Sequence, residues 1–328
     1  MAFKIIAFDS DGIGAIGSAL VLQRLDPDGV LVRQADMFAG NAMGAVTALG
    51  LAHGLPLDTI IDFFRHKSES LFRSRGEEDL YCADAMKREF AQLFGVAKLS
   101  ELPLSGPKIM VNVERAVSFG DMIWDLTSVG NGRRDPFSEM LLADLAAGAA
   151  CADGFFAPHD VEPVDQSSRG RFRTALLAEN NPSASAMIYA QDYFHVDQAD
   201  MTVLSIGTGT QHSSANDSDP ALAERTSWGW PFSRFARTIR RKAGLDTIDS
   251  TCRVSALAER YVRVEIPAHE GVGYDAWQHL PHLEIRVQKF AETAAFVKLK
   301  RAIHVNWSNE DSGFDALAKP VPFHSQVR

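Results

Sequence analysis

The chain has 328 residues, 46% of them hydrophobic, so it can bury a large core and fits one large domain or two small ones. Its formal net charge of −9 argues against a nucleic-acid partner, because binding to phosphates needs clustered positive charge. No stretch approaches the roughly twenty apolar residues of a membrane-spanning helix, so we expect a soluble protein.

Two strand–turn–helix units open the chain. Residues 3–8 form an apolar run rich in β-formers, which ends at an Asp-Ser-Asp-Gly turn and is followed by a predicted helix over residues 13–25. Residues 30–38 are predicted to be extended. A tight turn and a predicted helix over residues 45–53 follow.

Further helices are predicted over residues 57–72, 83–94 and 138–152, and short buried strands over residues 108–113 and 201–206. Strands that alternate with helices predict a mainly parallel sheet covered on both faces. We expect one domain over residues 1–307, followed by a polar tail over residues 308–328.

The cysteines predict a reducing environment. Cys82, Cys151 and Cys252 lie far apart and lack the spacing of a disulfide framework or of a zinc site. We therefore predict a cytoplasmic protein, with no metal and no other cofactor.

The turn after the first strand, Asp-Ser-Asp-Gly-Ile-Gly-Ala at residues 9–15, resembles the Asp-Gly-Gly-Gly-x-Arg-Gly loop of the patatin-like phospholipase family. In that family the N–H groups of the loop stabilise the oxyanion of acyl transfer. Ser10 and Asp11 stand where the family has glycines, and Gly14 stands where it has a basic residue. Ser10, Gly12 and Ile13 are the counterparts of the oxyanion loop.

The second turn resembles the family's nucleophile elbow, Gly-x-Ser-x-Gly. The matching residues here are Gly40, Asn41, Ala42, Met43 and Gly44, so alanine occupies the position of the nucleophilic serine. An alanine methyl group cannot form an acyl-enzyme.

The third resemblance is an Asn-Asn-Pro helix start at residues 180–182. In the family an Asp-Gly pair precedes it, and its aspartate is the base of a Ser-Asp dyad. Counting back places Thr174 at that aspartate, so both dyad positions are vacated. Three separate differences favour a natural divergence over an engineered knockout.

The resemblance implies a patatin-like three-layer α/β/α sandwich with a mainly parallel central sheet and a site at the carboxyl ends of its strands. It also implies a lipid, fatty-acyl or other small-molecule ligand. Without the dyad we predict a pseudoenzyme that binds such a ligand or a protein partner and does not hydrolyse lipid esters by the family mechanism.

Two enzymatic alternatives stay open. In the first, Asp11 or Asp9 is a catalytic acid/base in a cyclase, isomerase or lyase reaction, since burial of one carboxyl beside the other would favour a protonated group near neutral pH. The non-catalytic interpretation is that Asp9 caps the following helix while Asp11 faces water. In the second, a residual acyl hydrolase uses Ser10 with Asp165.

The Asp-x-Asp pattern of residues 9–11 also resembles the first motif of haloacid dehalogenase phosphatases, but that family would leave the elbow-like turn and the Asn-Asn-Pro segment unexplained.

Polar and basic-aromatic residues complete the candidates. His159 and Asn180 could line the vacated pocket, although Asn180 and Asn181 also fit a helix cap. A basic-aromatic segment that includes Trp228, Trp230, Arg240 and Arg241 fits either peripheral contact with an anionic membrane or packing against the sheet.

Overall fold

The structure is a computed structural model that describes residues 2–9, 11–72, 81–103, 105–117, 124–132, 135–152, 155–161, 170–176, 178–209, 248–249, 251–252, 260–267 and 274–307. Its strands are β1 (Phe3–Phe8), β2 (Met37–Asn41), β3 (Lys108–Ala116), β4 (Trp124–Gly130), β5 (His159–Val161), β6 (Gly170–Thr174), β7 (Met201–Ile206) and β8 (Tyr261–Val264). Its α-helices are α1 (Ala15–Leu25), α2 (Val30–Gln34), α3 (Gly44–Ala52), α4 (Leu57–Leu71), α5 (Ala83–Phe94), α6 (Leu142–Ala150), α7 (Ser183–Phe194), α8 (Leu280–Ala291) and α9 (Ala294–Trp307). Short 3-10 helices lie at Leu99–Glu101, Gln198–Asp200 and Trp277–His279.

The described strands form one mixed sheet in the order β5-β6-β3-β2-β1-β7-β8, and β4 pairs with β3. The strands β3, β2, β1, β7 and β8 are mutually parallel, whereas β4, β5 and β6 join by antiparallel pairing. The carboxyl ends of the five parallel strands therefore share one edge of the sheet, where ligand sites of α/β proteins are found.

The pairing of β3 brings two distant segments together. The strand β4 pairs with residues 110–116 of β3 and occupies one flank of that strand. The other flank pairs with β2 at residues 108–112 and with β6 at residues 113–115. Thus β2 and β6 run end to end along β3. Asn41 pairs with Asn112, and Thr174 pairs with the next residue, Val113.

Helices cover both faces of the sheet. On β1, Ile6 and Phe8 belong to a large core shared with α1, α3, α4 and α6, whereas Ile5 and Ala7 belong to a second core shared with α7. Because alternate residues of a strand point to opposite faces, α7 lies on the face opposite to α1 and α3. This arrangement confirms the predicted three-layer α/β/α sandwich with parallel central strands.

The largest error of the sequence prediction concerns residues 30–34, which are helical rather than extended. Val32 N–H donates to the carboxylate of Asp26 at 3.0 Å, and this bond supports a short helix despite the β-branched residues. The helix predicted over residues 138–152 begins only at Leu142, because the backbone of residues 138 and 140 bonds to residues 99 and 100. The tail over residues 308–328 lies outside the described residues.

Among the helices described above, none combines the length and the apolar character that crossing a bilayer requires.

Candidate functional site

The sharp turn between β2 and α3 places Ala42 at the carboxyl edge of the sheet. Ala42 has a φ of 47° and is fully buried. For a residue with a β-carbon, this left-handed conformation costs roughly 1–2 kcal/mol. The turn therefore has a strained backbone of the kind found in nucleophile elbows, and the side chain at its apex is a methyl group.

Two glycines make this turn tight. A β-carbon on Gly40 would lie 2.6 Å from the carbonyl oxygen of Gly44, and one on Gly44 would lie 2.5 Å from the carbonyl oxygen of Asp9. Since these neighbours are backbone atoms, a larger residue at either position would force strands and turn apart. The elbow thus packs directly on the loop that follows β1.

In that loop, the amide groups equivalent to oxyanion donors already have partners within the protein. The N–H of Gly12 donates to Oδ1 of Asp11 at 2.8 Å, and the N–H of Ile13 donates to the carbonyl oxygen of Tyr274 at 2.9 Å. The N–H of Met43, just after Ala42, donates to the carbonyl oxygen of Asp11 at 3.1 Å. An incoming oxyanion would have to displace these acceptors.

The substitutions at positions 11 and 14 depend on each other. Oδ2 of Asp11 lies where the β-carbon of a larger residue 14 would be, closer than van der Waals contact allows. A basic side chain at position 14 would therefore require the Asp11 side chain to take another conformation.

Asp9 forms a buried ion pair with Arg263 of β8, and Asp11 is only 3% exposed, so Asp11 does not face water as the capping interpretation expected. Nη1 of Arg263 donates to Oδ1 of Asp9 at 2.6 Å and to Oγ of Ser205 at 2.7 Å. Nη2 donates to Oδ2 of Asp9 and to Oε2 of Glu265. The pair fastens β1 and the loop after it to β8.

Thr174 lies close to the turn that contains Ala42. Thr174 ends β6 beside the end of β2, and its Oγ1 accepts a hydrogen bond from Leu176 N–H at 3.3 Å. Asn180 lies here too, because Nδ2 of Asn41 is 3.5 Å from its carbonyl oxygen. Asn181 acts at the start of α7, where Oδ1 accepts the N–H of Ser183 at 3.0 Å.

His159 contacts other elements. Its Nε2 lies 2.8 Å from Oδ1 of Asp144 in α6, and Lys87 of α5 pairs with the same carboxylate oxygen at 2.7 Å. These contacts join β5, α5 and α6. Ser10, Asp165, Trp228, Trp230, Arg240 and Arg241 lie outside the described residues.

Glu179 is the residue of this region that the sequence analysis missed. It is 5% exposed, and its Oε2 accepts from Nδ2 of Asn112 at 2.6 Å and from Oγ of Ser185. Its carbonyl oxygen accepts from Nδ2 of Asn41 at 2.7 Å. The sequence signal was a glutamate in the apolar stretch directly before the Asn-Asn-Pro motif.

Burial raises the pKa of Glu179 to about 7, Ser185 opposes this rise by hydrogen bonding, and the negative charge of Asp9 adds to it. Because the pKa is higher in the folded protein than in the unfolded chain, the protonated form of Glu179 stabilises the fold. This contribution to the free energy of unfolding is complete below about pH 4.5. It is lost as pH rises through about 7.

We therefore expect Glu179→Gln to change the pH dependence of stability. The difference in the free energy of unfolding between wild type and variant should fall by about 3 kcal/mol between pH 4.5 and pH 7.5. The reason is that each tenfold difference in proton affinity between the folded and unfolded states corresponds to about 1.4 kcal/mol. Urea unfolding at several pH values measures this difference. Exposed Glu292→Gln is the control, and parallel curves for Glu179→Gln and wild type would contradict the expectation.

Comparison with known proteins gives consistent matches. A family model described as patatin-like phospholipase matches residues 6–182. Protein teg of Priestia megaterium is 22% identical over 232 residues, which are 70% of this chain and 67% of that protein. Human GIVD cytosolic phospholipase A2 has a TM-score of 0.51 at 9% identity, over 94% of this chain and 60% of that chain, so the likeness concerns the fold. VipD from Legionella pneumophila has a TM-score of 0.45 at 9% identity, over 93% of this chain and 67% of that chain.

Proposed function

The chain belongs to the patatin-like phospholipase family, and we propose that it binds a lipid or acyl ligand without hydrolysing it. The observation that carries the proposal is Ala42, buried at the apex of an otherwise intact elbow. A methyl group cannot attack an ester carbonyl. Thr174, at the position of the family's base, supplies no carboxylate.

The loop after β1 supports the same proposal. Nucleophilic attack creates an oxyanion, and stabilisation of that charge is commonly the largest catalytic contribution in acyl transfer. Here the N–H groups of Gly12 and Ile13 are bonded within the protein, and the carboxylate of Asp11 would repel a second negative charge. Nucleophile, base and oxyanion donors are thus all altered.

Binding is favoured over a purely structural role by the strained elbow. Residues in sparsely populated backbone conformations cluster at active sites and ligand clamps. Ala42 keeps such a conformation although the serine that it would present is absent. A retained site for the ligand class of the family accounts for this shape without catalysis.

The contacts of the aspartates favour binding over acid/base catalysis by Asp9 or Asp11. Asp9 is paired with Arg263, and Asp11 accepts the N–H of its own neighbour Gly12. Cytoplasmic location, a protein partner, and membrane contact through Trp228, Trp230, Arg240 and Arg241 stay predictions.

A combined labelling and ligand-identification experiment tests the proposal. We expect no covalent adduct with a fluorophosphonate probe, and hydrolysis of p-nitrophenyl butyrate no faster than with Ala42→Gly, which has no nucleophile either. Native mass spectrometry of the purified protein, followed by extraction, should reveal a bound lipid or fatty-acyl compound. A serine adduct, or turnover that disappears in Ser10→Ala, would show a hydrolase instead. A co-purified polar metabolite would favour acid/base chemistry.

A further inference from the structure

The carboxamides of Asn41 and Asn112 meet Glu179 beneath the elbow. These asparagines pair across β2 and β3. Nδ2 of Asn41 donates to the carbonyl oxygen of Glu179 at 2.7 Å, and Nδ2 of Asn112 donates to its Oε2 at 2.6 Å. Both asparagines are fully buried. A buried polar cluster therefore lies next to Ala42.

Asn41 has a buried acceptor that the protein leaves unused. Its Oδ1 has no hydrogen-bond partner among the described residues. The orientation of the carboxamide is fixed, because its nitrogen faces the carbonyl oxygens of Glu179 and Asn180, which can only accept. A buried polar atom without a partner costs about 1–3 kcal/mol. This oxygen thus requires a donor from outside the described residues.

Glu179, whose carbonyl oxygen accepts from Asn41, offers further acceptor capacity through its side chain. Its Oε2 is occupied by Asn112 and Ser185, whereas Oε1 has only a long contact, 3.4 Å, with the N–H of Ser185. A carboxylate oxygen accepts about two hydrogen bonds. Arg263, which lies at the same edge of the sheet, is shared between Asp9 and Glu265. The cluster therefore accepts donors and repels anions.

We propose that Asn41 and Glu179 form a subsite that binds the primary ammonium group of an amphiphilic ligand. An ammonium has three N–H donors and no acceptor, which matches two acceptor oxygens from different elements. The inference rests on the proposed function, since the binding site for the ligand's chain is part of that proposal. It makes the ligand an amine-headed amphiphile rather than a fatty acid.

Protonation links binding to pH. Burial raises the pKa of Glu179 to about 7, so the carboxyl is largely protonated at pH 6 in the unliganded protein. A bound ammonium favours the ionised carboxylate. Affinity for an amine should therefore rise by up to about tenfold from pH 6 to pH 8 and then level off, whereas affinity for an alcohol of the same chain length should not.

Isothermal titration calorimetry with octylamine, octanol and octanoate, each below its critical micelle concentration, tests the subsite. The three probes share a chain and differ in the head group. We expect wild type to bind octylamine at least about tenfold more tightly than octanoate at pH 8. Glu179→Gln should weaken octylamine binding about tenfold and abolish its pH dependence. Glu292→Gln, at an exposed position, is the matched control.

Each outcome decides the inference. Octanoate binding as tight as octylamine binding, or octylamine binding unchanged in Glu179→Gln, overturns the subsite and leaves the lipid-binding function intact. If none of the three chains binds, both proposals fail. If Glu179→Gln does not fold, the pH dependence of binding to the wild type decides. An affinity for octylamine that does not rise between pH 6 and pH 8, relative to the affinity for octanol, overturns the inference.

Discussion

Serine alone at position 42 is expected to give no measurable ester hydrolysis, whereas Ala42→Ser combined with Thr174→Asp and Asp11→Gly should restore it. The triple variant supplies the nucleophile, a carboxylate at the end of β6 and a Gly12 N–H no longer bonded to Asp11. Removing one oxyanion donor typically costs a factor of 10²–10³ in rate. We therefore expect kcat/KM of the triple variant to exceed that of Ala42→Ser, Thr174→Asp by at least about 100-fold.

A variant with Asn at position 11 separates the two effects of the aspartate. Asn removes the negative charge but keeps an oxygen that can accept the N–H of Gly12. If occupation of that amide dominates, the Asn variant should stay as slow as the Asp variant; if charge repulsion dominates, it should approach the Gly variant. The assay is steady-state hydrolysis of p-nitrophenyl butyrate with active-site titration by a fluorophosphonate. Activity in Ala42→Ser alone, equal to that of the triple variant, would contradict the obstructed loop.

Local patterns sufficed to predict the central part of the fold. Residues 3–8 and 201–206 are largely apolar, as expected of parallel strands buried on both faces, and β1 and β7 have those bounds. The resemblance of residues 40–44 to a Gly-x-Ser-x-Gly motif indicated a sharp turn after β2, and the backbone of this turn is too close to its neighbours for a β-carbon on Gly40 or Gly44. Counting back from the Asn-Asn-Pro motif gave Thr174 as the position of the family's base, and Thr174 ends β6 beside the end of β2.

The antiparallel strands were not predicted, because they lack a continuous apolar pattern. β5 has 3 residues, and β6 carries the charged Arg171 and Arg173. β6 joins the sheet by pairing with β3, which is far away in sequence, and β5 joins it by pairing with β6. Only the assembled sheet specifies such pairing.

Contacts between distant residues explain the missed features of the site. Asp9 and Arg263 are 254 positions apart, and Glu179 meets Asn112 across 67 positions. A sequence shows that Asp9 follows a strand, which permits either a helix cap or an ion pair. The choice depends on β8 lying beside β7, which no local pattern encodes.

The Asp9–Arg263 pair leads to the second large expected effect. Arg263→Met should lower the free energy of unfolding by about 3–5 kcal/mol, because it leaves the carboxylate of Asp9 buried without its cation. Asp9 is 2% exposed and the Arg263 side chain 9%. Arg171→Met, which breaks the exposed pair with Asp160, is the control and should cost less than about 1 kcal/mol. Urea unfolding monitored by circular dichroism measures both.

The double variant Asp9→Asn, Arg263→Met shows what the pair contributes beyond stability. Replacing both partners removes the uncompensated charge, so most of the stability lost in Arg263→Met should return. The loop after β1 would lose its ion pair with β8, while its backbone contact with Gly44 would remain. If stability returns but octylamine binding is weakened relative to wild type, the ion pair positions the loop against the elbow. A double variant no more stable than Arg263→Met would instead show that packing of the arginine, not the buried charge, accounts for the loss.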